Sequence, residues 1–159
     1  MHKIGVRGLS LIILSTAALF GFVGYQNSQL IDRKQLREMV VQLGYEVSDI
    51  VKDAGKEKYS VTIKTQDLNI PVGLEISPSN SFIWLTVNLG AAPTEGSTKT
   101  LDLLKQNSKI QPTFFYITDS GRLMAATAVD NRGVTNAVLK TRIESISENV
   151  GKTKDIWQK

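Results

Sequence analysis

The sequence predicts an α+β domain in two layers. A mostly antiparallel five-stranded sheet carries helices on one face, in the order helix–β–β–β–helix–β–β–helix, behind a hydrophobic N-terminal leader. Three observations predict it. Several stretches alternate apolar with polar or small residues, the period of a strand with two unlike faces. Others repeat apolar residues at three- and four-residue spacing behind a capping residue, as in a helix with one buried stripe. The links within each set of strands are short enough for hairpins, which makes neighbours antiparallel.

Residues 1–25 read as a targeting segment. His2, Lys3 and Arg7 form a basic start, and Leu9–Val23 is uncharged and almost wholly apolar. Signal cores run about 7–15 residues and spanning helices about 17–25. This stretch stands at the border, so a cleaved signal and an uncleaved anchor using residues 9–25 are both open. Thr16-Ala17-Ala18 would serve as a cleavage site but leaves a short core. No cysteine follows, which excludes a lipoprotein. Residues 26–31 make a polar spacer, and the domain occupies residues 32–159.

The first helix opens at Asp32, which stands three residues before Gln35, the spacing of a capping box. Leu36, Met39, Val40 and Leu43 form its stripe, and Gly44 suits the position just past its end. Leu30 is placed to act as a hydrophobic staple. In the next stretch Val47, Ile50 and Val51 fit either a helical turn or a short extended piece. Residues 52–58, with three lysines, two acidic residues and Gly55, read as an exposed turn.

Three strands are then expected. In the first, Tyr59, Val61 and Ile63 alternate with Ser60, Thr62 and Lys64. The second carries Ile70, Val72, Leu74 and Ile76, with Pro71 fitting a strand start or an edge. The turn Ser77-Pro78-Ser79-Asn80 leads to the third, Ser81–Leu89, with Ile83, Leu85, Val87 and Leu89 on one face. Residues 90–97 form a loop, and Ser97 or Thr98 caps a helix carrying Leu101, Leu103 and Leu104. Strands Thr113–Thr118 and Arg122–Val129 follow, joined at Asp119-Ser120-Gly121. Thr135 caps a last helix with the stripe Leu139, Ile143, Ile146 and Val150. Residues 153–159 are a tail containing Trp157.

Composition narrows the chemistry. The 159 residues are 21% charged and 42% hydrophobic, a globular composition. Lys plus Arg number 19 against 15 acidic residues, and two of the basic ones lie in the leader. No basic cluster stands out, so nucleic acid is not an expected partner. There is no cysteine, and the single histidine is His2. The domain therefore lacks Ser–His and Cys–His nucleophilic systems and nearly all zinc chemistry. No cofactor, metal or small-molecule substrate is implied. Asp119 and Asp130 form no D-x-[DN]-x-[DN]-G calcium loop, and GAAPTEGST lacks the G-x-x-x-x-G-K-[ST] spacing of a phosphate loop. The carboxylates Glu46, Asp49, Glu75, Glu95 and Asp102 fall on loops or wet faces. An enzyme is not expected.

One frame in this pattern is familiar. A helix ending Leu103-Leu104-Lys105-Gln106-Asn107 precedes a strand–turn–strand with Asp119-Ser120-Gly121-Arg122. A Thr135-capped helix then runs on toward Thr153 and Trp157. With the leading helix Leu36–Gly44 and the three strands, the chain resembles the type III secretion chaperone-like fold, including the YbjN family of bacterial proteins. The resemblance covers about residues 32–157 and implies a non-enzymatic, often dimeric, protein-binding domain. Secretion chaperones work in the cytoplasm and this chain carries an export leader, so the fold and a general binding role are what carry over.

Strand phase supplies a candidate surface. Phe82, Trp84, Phe114, Tyr116 and Met124 should share the sheet face opposite the helices, and large apolar groups grouped there suit a polypeptide partner or a second copy. Asn107 reads as a helix C-cap or loop anchor. The expected function is an exported or membrane-tethered protein-binding domain of the bacterial periplasm or envelope. The alternatives are a structural accessory subunit of an envelope complex and a small carboxylate-dependent envelope enzyme.

Overall fold

A computed structural model describes residues 29–158. The leader, with its choice between signal and anchor, lies outside the described residues. No helix among the described residues is long and apolar enough to cross a membrane.

The elements run α1 (Arg33–Gln42), β1 (Ser48–Val51), β2 (Lys58–Lys64), β3 (Asn69–Ile76), β4 (Phe82–Ala91), α2 (Thr98–Asn107), β5 (Phe114–Ile117), β6 (Arg122–Asp130), α3 (Asn136–Lys152) and α4 (Lys154–Trp157). All strand pairs are antiparallel, in the spatial order β1-β2-β3-β4-β6-β5. The sheet has six strands, not five. The additional one is β1, in the stretch where the sequence fits two conformations. It is short, exposed and bulged between Asp49 and Val51, so no face of it shows the alternation of a half-buried strand. The order is therefore helix–β–β–β–β–helix–β–β–helix, closed by the short α4. That last turn forms in the expected tail.

Caps explain the helix starts. Asp32 accepts from the Gln35 backbone N–H at 2.8 Å while the Gln35 side chain accepts from the Asp32 N–H, a complete capping box. Ser97 caps α2 and Thr135 caps α3. Gly44, just beyond α1, has φ +86°, a backbone state that a side chain would strain. Leu30 is not a staple. It forms an isolated bridge with Arg132 and stays exposed, while Ile31 packs against the core.

One face of the sheet is the core. Val61, Val72, Leu74, Ile83, Leu85, Val87, Leu123 and Ala125 meet Leu36 and Val40 of α1 and Leu139, Ile143, Ile146 and Val150 of α3. The α3 stripe is buried as its spacing predicts. Pro71 sits in β3, which is interior to the sheet. Pairing with β4 begins only at Gly73, so the proline ring lies where that side of β3 has no ladder to break.

Candidate protein-binding surface

Register builds the second face of the sheet. Phe82 stands opposite Asp130, Trp84 opposite Ala128, Phe114 opposite Ala126 and Tyr116 opposite Met124. Strand β6 lies between β4 and β5, so two strand spacings, about 9–10 Å, separate the backbones that carry Trp84 and Phe114. Ala126 and Ala128 occupy the intervening positions of β6 and leave room for the rings to meet over them. Ala126 is buried on this face because the aromatics close above it.

The four rings form a continuous ladder. Centroid separations are 6.5 Å for Phe82–Trp84, 6.3 Å for Trp84–Phe114 and 5.9 Å for Phe114–Tyr116. The middle pair meets edge to face at 81°. These are favourable aromatic geometries, each worth about 0.5–1.5 kcal/mol beyond area burial. The ends of the ladder stay open, with Phe82 43% and Tyr116 37% exposed. Met124 is half-buried beside Tyr116. All five residues expected to share this face do so.

A depression of about 280 Å³ opens along the ladder, lined by Glu75, Trp84, Thr86, Phe114, Tyr116 and Ala126. Glu75 stands beside Trp84 across β3–β4 and is ion-paired with Lys58. Burial raises the Tyr116 hydroxyl above the ordinary tyrosine range; Glu75 adds to the rise and Lys58 opposes it. The site thus offers apolar ring faces with one charged pair at its rim. Trp157 does not cover it. Its indole Nε1 donates to the Val150 carbonyl at 2.9 Å, which holds α4 against α3 in the helical layer.

Sequence spacing missed a second apolar surface. Only Leu103 of the three α2 leucines reaches the core; Leu101 is 59% and Leu104 67% exposed. Leu101 and Leu104 are three residues apart and share a face, while Leu103 points elsewhere. A shallow groove of about 190 Å³ between α2 and β5 is lined by Leu103, Leu104, Asn107, Phe115, Tyr116 and Ile117. Tyr116 belongs to both surfaces.

Asn107 is a loop anchor, as expected, rather than a cap. Its Oδ1 accepts from the Phe115 N–H at 2.7 Å and its Nδ2 donates to the Phe115 carbonyl at 3.1 Å. One side-chain amide thus satisfies a backbone pair on the edge strand β5 and fixes α2 beside it. Ser108 is the α2 C-cap.

Three of the five carboxylates named from the sequence are ion-paired on the surface: Asp49 with Arg37 at 2.9 Å, Asp102 with Lys105 at 3.9 Å, and Glu75 with Lys58. Among the described residues no group of three or more His, Cys, Asp or Glu could hold a metal ion.

No protein-family model matches the chain, and no curated protein matches it in sequence. Solved structures do. A chain of the heterodimeric ExoU–SpcU complex from the type III secretion system of Pseudomonas aeruginosa superposes with a TM-score of 0.55 at 15% identity, covering 76% of this chain and 96% of that one. A chain of the HopA1–SchA chaperone–effector complex gives 0.52 at 12% identity, covering 80% and 98%. A chain from the Yersinia pestis type III secretion chaperone SycH bound to a fragment of YscM2 gives 0.50 at 13% identity, covering 75% and 96%. The fold is type III secretion chaperone-like.

Proposed function

We propose that the chain is a non-enzymatic polypeptide-binding domain, exported or tethered to a membrane by its leader, that docks its partner on the aromatic ladder. The observation that carries this reading is the ladder itself: four contiguous rings on a sheet face that the helices leave uncovered. Large apolar side chains sharing one open face are the usual composition of a protein contact. The fold supports the same reading, since two of the similar structures are chaperones in complex with polypeptides and the third is a heterodimeric complex.

Trp84→Asp tests it. The variant is expected to keep its circular dichroism spectrum and to lose the polypeptide that cross-linked full-length protein retains. An unchanged partner set with unchanged fold would count against the ladder. The mass of the N-terminus in the same preparation distinguishes the tethered form from the cleaved one.

A second reading is self-association through α2, as in an accessory subunit. The exposure of Leu101 and Leu104 favours it. Light scattering separates the two, because Leu104→Asp would dissociate an α2 dimer and leave ladder binding intact.

A further inference from the structure

The depression along the ladder has a floor of small residues. Gly73, Thr86 and Ala126 stand in register across β3, β4 and β6, and Phe114 pairs with Ala126 from β5. One row across four strands thus carries a glycine, a threonine, an alanine and then a ring. Gly73 is held to its size, because a Cβ there would lie 3.0 Å from the Thr86 Oγ1. The rows on either side are taller, with Glu75 and Trp84 on one and Met124 and Tyr116 on the other. The low row between them opens the space of about 280 Å³.

The chemistry of the lining is one-sided. Trp84, Phe114 and Tyr116 supply rings, Thr86 a hydroxyl and Glu75 the single charge. Lys58, opposite Glu75 on β2, holds that carboxylate through Oε2 and is not part of the lining. One ammonium does not saturate a carboxylate, which offers about four lone-pair sites. The Tyr116 hydroxyl, raised by burial first, is raised further by Glu75 from across the depression. Ring faces carry negative potential and attract cations within about 6 Å of the centroid. Three rings, a hydroxyl oxygen and a carboxylate around one space therefore favour positive charge. The groove beside α2 has no charged residue in its lining.

We propose that the depression is a cage for an arginine side chain of the polypeptide that docks on the ladder. This deepens the reading above and rests on it. A guanidinium is planar and weakly hydrated, so it can lie against the Trp84 ring while its fork of N–H donors turns to Glu75 and Thr86. A lysine ammonium supplies neither the flat face nor the fork. Lys58 competes for the same carboxylate and so tempers the affinity.

Full-length protein labelled with 5-fluorotryptophan carries two fluorine reporters. One is Trp84 in the cage; the other is Trp157, fastened to the Val150 carbonyl in the helical layer. N-acetyl-arginine amide is the probe, with N-acetyl-citrulline amide as its neutral isostere and N-acetyl-lysine amide as the alternative cation. Arginine is expected to shift the Trp84 fluorine saturably and to leave Trp157 unmoved. Glu75→Gln should weaken binding about tenfold, the loss of a charge-assisted hydrogen bond. Lys58→Gln should tighten it about two- to fivefold, the range of an exposed ion pair, a gain that a damaged fold does not produce. No shift at Trp84, citrulline or lysine acting as well as arginine, or an arginine response indifferent to both substitutions would overturn the cage and leave docking on the ladder standing. Polypeptide capture indifferent to Trp84→Asp would overturn the docking reading, and with it the partner named here.

Discussion

Asn107 and Asn131 do the same physical work at two places in the molecule. Each presents an amide to a backbone N–H and C=O of another segment, as a neighbouring strand would. Removing such a side chain leaves buried backbone groups unpaired, at a cost of about 1–3 kcal/mol. Asn107→Ala should lower the unfolding free energy obtained from urea denaturation by an amount in that range and loosen β5 first, seen as faster amide exchange at Phe115. Asn107 could be read from sequence as an anchor because it ends a helix just before a strand. Asn131 could not, because its partners Ile31 and Asn80 lie 100 and 51 residues away in the chain. Tyr116 contributes to the alkaline pH dependence, together with Tyr45 and Tyr59, whose hydroxyls burial also raises. Its folded-state pKa is raised by burial, so its contribution to stability is complete below the ordinary tyrosine value and is lost as pH rises through the raised one. Thermal unfolding of the native protein should therefore fall more steeply above pH 10 than that of Tyr116→Phe.

Element by element, legibility followed burial. Strands β2, β3, β4 and β6 each have one dry face and showed it as alternation. β1 is wet on both faces and gave no period, so its strand came from pairing with β2 rather than from its own residues. α2 was legible as a helix, but the phase of its leucines was not. Thr100, Leu103 and Asn107 turn toward the β5 side, Leu104 stands exposed at the rim of the same groove, and Leu101 is exposed outside it. Leu103→Ala should cost about 2–5 kcal/mol as a buried deletion. Leu104→Ala should stay within about 0.5 kcal/mol, as a surface change does. Chemical denaturation of the pair would show whether the helix is seated as described.

For the molecule as a whole, the decisive arrangement is the placement of β6 between β4 and β5. It brings Trp84 and Phe114, 30 residues apart in sequence, into edge-to-face contact over Ala126 and Ala128. Strand phase alone predicts which residues share this face. Their contiguity depends on strand order, which hairpin lengths do not determine, because α2 carries the chain past β6 to the outer edge first. The resulting surface is one-sided: helices bury one face of the sheet and leave an aromatic track on the other. The most direct measurement is site-specific photo-cross-linking in the native cell, with a benzophenone side chain at Trp84 and, as control, at Lys140 on the exposed face of α3. A polypeptide adduct is expected at position 84, absent at 140 and lost when Phe114→Asp is added to a folded chain. Equal adducts at both positions, or an adduct at 84 indifferent to Phe114→Asp, would contradict it.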